Sequence, residues 1–209
     1  MERKMKNILI LGDSYSTYKD LIPEGYGTWY PGNDVEKAEQ TWWKIALKGA
    51  DVNLVLNTSY SGTTICHTGY SGDCSHISFL ARLEKLSAEG FFEKNKIDEI
   101  WIFGGTNDSW ADSPLGEIMY GEISREEKFK VLPGFSALLA LVKSLPIERP
   151  LILINSELKP EIENGYKEMA AHYGIPALQL KDVDKKDGHP TAKGMKAIAE
   201  QFLAFRREV

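Results

Sequence analysis

The sequence is poor in cysteine, and this scarcity limits both disulfide bonding and metal binding. Its 209 residues include only Cys66 and Cys74, which are too few for a disulfide framework. They are expected to form either one disulfide with a short loop or two free thiols. His67 and His76 lie nearby, but the closely spaced ligand pairs of zinc sites are missing. We therefore expect no bound metal.

Long hydrophobic runs are also missing. Uninterrupted apolar stretches such as residues 8–11 and 151–154 are short, whereas a membrane-spanning helix needs about 20 apolar residues. The basic start, residues 1–6, is followed by too few consecutive apolar residues for a signal peptide. The sequence therefore predicts a cytoplasmic protein with no membrane partner.

Charges of both signs are mixed along the chain. With 25 Lys and Arg against 30 Asp and Glu, the formal net charge is −5, and no basic cluster suited to phosphates is present. Nucleic acid is therefore excluded as a partner. Hydrophobic residues make up 43% of the chain, as in globular proteins, and the length predicts one domain over residues 1–209. No sequence feature indicates an oligomeric state.

Short apolar runs alternate with helical patterns along the whole chain. The runs are predicted to be buried strands, at residues 7–11, 52–56, 97–103, 151–154 and 176–180. The helical patterns cover residues 39–48, 77–86, 128–145, 161–173 and 191–206. This alternation predicts an α/β fold, in which a five-stranded parallel sheet of flavodoxin-like order lies between two helix layers as an α/β/α sandwich.

In such a fold, ligands bind at the carboxyl ends of the strands, so the residues that follow each strand are candidates for chemistry. Ser14 follows the first predicted strand in the sequence Gly12-Asp13-Ser14. A serine presented on a tight turn there can serve as a nucleophile, although Asp13 and Ser14 can equally cap the next segment. The role of Ser14 therefore depends on its neighbours.

Three further segments reach the same edge. Gly62 lies in a polar loop after the second strand, where it can bring a backbone N–H close to a ligand. Asn107 follows a glycine pair after the third strand and offers a side-chain amide, although an Asx turn explains it equally well. His189 precedes the last helix, with Asp187 and Asp184 two and five residues upstream. An imidazole oriented by a carboxylate can deprotonate a serine near pH 7.

Together these segments resemble the GDSL or SGNH hydrolases, which are serine esterases and acylhydrolases. The resemblance rests on Gly12-Asp13-Ser14, Asn57-x4-Gly62, Gly105-x-Asn107-Asp108 and the Asp-Gly-His-Pro segment at His189, in the family's order along nearly the whole chain. It implies Ser14 as nucleophile and His189 as base. It also implies an oxyanion hole formed by the backbone N–H groups of Ser14 and Gly62 and by the Asn107 side chain, with no cofactor.

One position departs from the family pattern. The family aspartate usually precedes the histidine by three residues, where this chain has Lys186. Asp187 is the preferred partner of His189 and Asp184 the second choice. A third reading is a Ser-His dyad assisted by a backbone carbonyl.

Aromatic residues near the predicted site suggest the substrate. Tyr15, Trp29 and Trp110 can form a wall that stacks on sugar rings, although each can instead anchor its own loop. Trp42 and Trp43 belong to a helix and are predicted to lie in the core, at least one of them facing the sheet. The favoured substrate is therefore a small ester or an acylated carbohydrate with a short acyl group, such as acetyl. A lipase or thioesterase, a non-catalytic carbohydrate-binding domain and a flavin-binding domain are the alternatives.

Overall fold

The computed structural model describes residues 5–209, so the first four residues of the basic start lie outside it. A parallel sheet of five strands forms its centre, in the order β2-β1-β5-β6-β7. Its strands are β1 (Asn7–Gly12), β2 (Asn53–Asn57), β5 (Glu99–Gly104), β6 (Arg149–Ile154) and β7 (Ala177–Gln179). Two short antiparallel pairs accompany it: β3 (Thr68–Gly69) with β4 (Gly72–Asp73), and β8 (Lys185–Lys186) with β9 (His189–Pro190).

Seven helices complete the described chain: α1 (Trp42–Ala50), α2 (Phe79–Ala88), α3 (Phe91–Lys94), α4 (Thr106–Trp110), α5 (Val131–Ser144), α6 (Pro160–His172) and α7 (Ala192–Glu208). The predicted α/β class and flavodoxin-like strand order are confirmed. Helix α1 begins three residues later than predicted because Thr41 caps it, accepting a hydrogen bond from the Lys44 N–H. Helix α5 also begins three residues later, and Pro133 lies in its first turn, where no backbone N–H is needed.

Alternate residues of the central strands face opposite sides of the sheet, and each side carries its own core. Leu9, Ile100 and Ile152 belong to the core that includes residues of α2, α5 and α6. Ile8 and Trp101 belong to the core that includes residues of α1 and α7. Because both faces are covered, the middle positions of the central strands are apolar on both sides rather than alternating with polar residues.

Trp42 and Trp43 are fully buried, as their helical position predicted. The Trp42 ring contacts Trp101 and Phe103 of β5 and Phe202 of α7. This tryptophan therefore joins α1, α7 and the sheet.

Cys66 and Cys74 are both buried free thiols, so the disulfide alternative is not found. Within residues 5–209, no group of three or more His, Cys, Asp or Glu side chains is arranged to hold a metal ion. No helix in that range is both long enough and apolar enough to cross a bilayer.

The start of α7 lies directly against the segment that carries His189. A Cβ atom at Gly194 would overlap the backbone carbonyl of Asp184, whereas a Cβ at Gly49 in α1 would meet only the end of the Leu203 side chain, at 2.6 Å. Gly194 therefore permits a close contact between two backbone segments, and Gly49 does not.

We predict that Gly194→Ala lowers the free energy of unfolding by about 1–3 kcal/mol, because backbone atoms cannot move aside as a side chain can. The matched variant Gly49→Ala should change it by less than about 1 kcal/mol, since improved helix propensity offsets the shift of Leu203. Urea denaturation of both variants measures the difference. Equal midpoints for the two would contradict the close backbone contact at Gly194.

Candidate active site

Ser14 lies at the carboxyl end of β1, on a single 3-10 turn formed by residues Ser14–Ser16. The Asp13 carboxylate caps this turn by accepting a hydrogen bond from the Tyr15 N–H at 3.0 Å. The strand ends at Gly12, where a side chain would collide with Ser16 and Ser59 at 2.6 Å. The capping expected from the sequence is therefore made by Asp13, which leaves the Ser14 hydroxyl available.

His189 meets that hydroxyl. Strands β8 and β9 form a tight hairpin whose two turn residues, Asp187 and Gly188, have φ of 50° and 74°. The hairpin brings His189 Nε2 to 3.0 Å from Ser14 Oγ, across 175 residues of chain. The serine and histidine predicted from the sequence are thus hydrogen-bonded.

The other nitrogen of His189 contacts a backbone carbonyl and no carboxylate, which differs from the preferred and second sequence readings and has the geometry of the third. Its Nδ1 lies 3.1 Å from the backbone carbonyl of Asp187. The left-handed conformation at Asp187 turns this carbonyl toward the ring, while the residue itself stays exposed. The second candidate, Asp184, accepts a hydrogen bond from the Thr191 hydroxyl instead. With Nδ1–H donating to the carbonyl, Nε2 is left to accept the Ser14 proton.

Aromatic rings enclose the imidazole. The Trp29 ring stacks on it with centroids 3.6 Å apart and planes 7° apart, and Trp110 contacts it edge-on at 6.1 Å. Trp29 and Trp110 remain 38% and 43% exposed, which leaves part of each available to a ligand. Tyr15 is fully buried and donates to the Gly188 carbonyl at 2.6 Å. The structure therefore corrects the prediction for Tyr15, which supports the histidine loop from beneath and cannot line a binding surface.

The loop at residues 21–33 also holds the segment that contains His189. The Tyr30 hydroxyl donates to the Pro190 carbonyl at 2.7 Å. The Asn33 side chain donates to the carbonyls of Lys186 and His189, at 3.0 and 3.3 Å. This long loop therefore fixes the backbone on both sides of the histidine.

Gly62 and Asn107 lie together beside Thr63. Gly62 has φ of 76°, a left-handed conformation that favours glycine, and a Cβ there would meet open space. The Asn107 amide donates one N–H to the Thr63 carbonyl at 2.9 Å, and its oxygen accepts from the Tyr70 hydroxyl at 3.0 Å. The predicted backbone and side-chain donors are therefore brought to the same loop.

Arg82 is a buried part of this region that sequence reasoning missed. Its guanidinium donates to the carbonyl of Gly12 and to the hydroxyl of Thr63, both at 3.1 Å, and also to the carbonyl of Thr58. It therefore ties the turn that carries Ser14 to the loop that carries Gly62. The only available signal was a charged residue among the apolar positions of the predicted helix at 77–86.

Two buried carboxyl groups, those of Asp13 and Asp108, belong to the same region. Burial raises the pKa of Asp13 to about 7. The hydrogen bond from the Tyr15 N–H and the positive charge of Arg82 lower this pKa but do not cancel the effect of burial. Burial also raises the pKa of Asp108 to about 6, although the backbone N–H groups of Ile65 and Cys66 donate to it. Burial lowers the pKa of Arg82 to about 10, so Arg82 stays cationic at neutral pH while the two carboxyls titrate near it.

Burial and a nearby cation keep His189 neutral. Loss of solvent is the largest effect that lowers its pKa, and the positive charge of Lys185 lowers it further, while the carbonyl and the charge of Asp187 oppose both. Lys185 is itself held by Asn155 Oδ1 at 3.0 Å and by Glu157 at 3.0 Å. A serine hydroxyl beside a neutral imidazole, with amide donors nearby, is suited to nucleophilic acyl transfer.

Known proteins provide an independent comparison. The family model of the GDSL-like lipases/acylhydrolases matches residues 6–206. A protein named as a GDSL-like lipase from Bacteroides ovatus shares 39% identity and superposes with a TM-score of 0.91, over 99% of this chain and 100% of the other. One from Bacteroides uniformis also shares 39% identity, with a TM-score of 0.89 over 98% and 97%.

A more distant likeness extends to a carbohydrate-active enzyme. An acetyl xylan esterase from the rumen bacterium Butyrivibrio proteoclasticus shares 17% identity, with a TM-score of 0.61 over 100% of this chain and 64% of the other. This likeness concerns the fold alone. A comparison with curated protein sequences found no match.

We predict that Lys185→Met raises the pKa of His189, because it removes a positive charge that disfavours the imidazolium while keeping a side chain of similar volume. An NMR titration of the imidazole protons measures the shift. Lys186→Met is the matched control, since Lys186 is the exposed neighbour on the same strand, and should leave this pKa nearly unchanged. An unchanged or lower pKa in Lys185→Met would contradict the assigned influence of Lys185.

Proposed function

The chain belongs to the GDSL-like lipase/acylhydrolase family and is an ester hydrolase, and we propose that it is a serine esterase that removes short acyl groups, acetyl above all, from carbohydrates. The observation that carries the catalytic part of this proposal is the hydrogen bond of 3.0 Å between Ser14 Oγ and His189 Nε2. A nucleophile and a base within hydrogen-bond distance are what acyl transfer needs.

In the first half of the reaction, His189 Nε2 takes the proton of Ser14 as Oγ attacks the ester carbonyl. The carbon becomes tetrahedral, and its negative oxygen is bound by the backbone N–H groups of Ser14 and Gly62 and by the Asn107 amide. The intermediate then collapses, the bond to the alcohol oxygen breaks, and the imidazolium returns the proton to the leaving alcohol. Ser14 is left as an acyl ester.

In the second half, water replaces the alcohol. His189 takes a proton from the water, whose oxygen attacks the acyl carbon, and the same donors hold the second tetrahedral intermediate. Collapse returns the proton to Ser14 Oγ and releases a carboxylic acid, which ionises at neutral pH. The enzyme is then restored, with no cofactor consumed.

We propose that the Asp187 carbonyl takes the place of the usual aspartate. The carbonyl accepts the Nδ1 proton at 3.1 Å, and this hydrogen bond fixes the tautomer that the base needs. The Trp29 ring stacked on the imidazole limits its rotation, and an aromatic face also stabilises a cation placed over it. A dyad with these two supports therefore accounts for the exposed positions of the Asp187 and Asp184 side chains.

The preference for carbohydrates rests on the aromatic surroundings of the site. Trp29 and Trp110 each contact His189 and remain more than one third exposed, so both can offer a ring to a sugar next to the reacting ester. An acetyl xylan esterase has a similar fold, which makes acetylated xylan a suitable substrate for the test. A lipase or thioesterase would differ in acyl length and in the leaving group.

Hydrolysis of p-nitrophenyl acetate by purified variants tests the proposal. Ser14→Ala should abolish the activity, and Asn107→Ala should lower kcat about 10²- to 10³-fold, the usual cost of one oxyanion donor. Asn53→Ala is the matched control, because Asn53 is an exposed amide at the opposite end of the sheet, and should retain full activity. Butyrate and octanoate esters run in parallel measure the acyl preference, which should fall with length.

Equal, slow rates in the wild type and in Ser14→Ala would refute Ser14 as nucleophile. A near-full rate in Asn107→Ala would refute the oxyanion role of Asn107 alone. Release of acetate from acetylated xylan then separates a carbohydrate esterase from the alternatives, and a preference for octanoate would favour a lipase or thioesterase.

A further inference from the structure

Tyr70 contacts the oxyanion amide, although no sequence pattern marked it. It lies at the tip of the β3–β4 hairpin, and its hydroxyl donates to Asn107 Oδ1 at 3.0 Å. Its ring is 56% exposed, so the residue is not held there by burial in the core. We propose that Tyr70 is a positioning residue for the proposed ester hydrolysis, acting through Asn107 on the stabilisation of the oxyanion.

The hairpin that presents Tyr70 is hydrogen-bonded to the neighbouring segments that contain Ser113 and Phe129. The Ser113 hydroxyl donates to the Thr68 carbonyl at 2.8 Å, and the Thr68 hydroxyl donates to the Phe129 carbonyl at 2.7 Å. The backbone N–H of His67 donates to the Lys128 carbonyl at 2.9 Å. These contacts anchor the β3 side of the hairpin, from which the chain continues directly to Tyr70.

Buried hydrogen bonds also connect the helix that carries Asn107 to the segment that leads into this hairpin. Asp108, the next residue along α4, accepts hydrogen bonds from the backbone N–H groups of Ile65 and Cys66. The segment that leads into β3 is therefore hydrogen-bonded to the helix that carries Asn107. The bond between Tyr70 and Asn107 is a second link between the same two segments.

The hydrogen-bond capacity of the amide shows what Tyr70 can do. One N–H of Asn107 is used by the Thr63 carbonyl, and the oxygen is used by Tyr70, which leaves the second N–H for the substrate oxyanion. The Thr63 bond already decides which end of the amide carries the nitrogen. The Tyr70 bond adds a second fixed point that aligns the free N–H, and it polarises the amide so that this N–H donates more strongly.

A phenol ring exposed at this point can also contact the substrate directly, and a double-mutant cycle separates the two roles. Tyr70→Phe keeps the ring and removes only the hydroxyl. If Tyr70 acts through Asn107, this change should lower kcat about 3- to 10-fold with KM changed less than about 2-fold, the size expected for one hydrogen bond. In the Asn107→Ala background, Tyr70→Phe should then have no further effect.

Tyr120→Phe is the matched control and should leave kcat unchanged, because the Tyr120 hydroxyl donates to the exposed Glu168 and to no other side chain among residues 5–209. The cycle is measured with p-nitrophenyl acetate, and circular dichroism confirms folding of each variant. If Tyr70→Phe instead raises KM, and does so equally in the wild type and in Asn107→Ala, the two effects are independent. That result would overturn the proposal and indicate that Tyr70 contacts the substrate. Full activity in Tyr70→Phe beside a 10²-fold loss in Asn107→Ala would overturn it while leaving the proposed function intact. Full activity in Asn107→Ala would overturn the proposal together with the oxyanion role of Asn107, while the serine esterase itself is tested separately by Ser14→Ala.

Discussion

The hydrogen bond between Ser14 Oγ and His189 Nε2 is the interaction on which the account of this enzyme depends. The two residues are 175 positions apart: Ser14 follows a strand of the parallel sheet, and His189 lies in the separate β8–β9 hairpin. Ser14 leaves the carboxyl end of β1, next to β5, whose own carboxyl end leads into Asn107. The 21–33 loop and Tyr15 then hold the β8–β9 hairpin against that edge of the sheet. Much of the surrounding structure therefore maintains the distance between Ser14 Oγ and His189 Nε2.

The charges and pKa values at the site depend on the burial of its ionisable side chains. Removing Arg82, Asp13 and Asp108 from water has a large cost, and backbone groups offset it by hydrogen bonding to each of them. The cation of Arg82 crosses between the loop that carries Ser14 and the loop that carries Gly62. The His189 imidazole is kept neutral by desolvation and by Lys185, which is the state that the proposed role as a base requires at neutral pH.

The sequence predicted the sheet, its order and the Ser14–His189 pair, because apolar runs and strand-end polar residues are local signals. It did not predict which atom of Asp187 contacts His189, since that depends on a left-handed backbone conformation in a two-residue turn. It also placed Tyr15 at the surface, whereas the tertiary fold buries it. Tyr70 and Arg82 were missed because their importance arises only from contacts with distant segments, across 37 and 70 residues.

The most direct test of the central claim is the rate of ester hydrolysis by Asp187→Asn. Asparagine tolerates the left-handed conformation, so the turn and its carbonyl remain while the carboxylate is removed. A dyad oriented by the backbone carbonyl predicts that kcat/KM stays within about 3-fold of the wild type. A loss approaching 10⁴-fold, as when a serine triad loses its aspartate, would show that the carboxylate is required and would contradict the account.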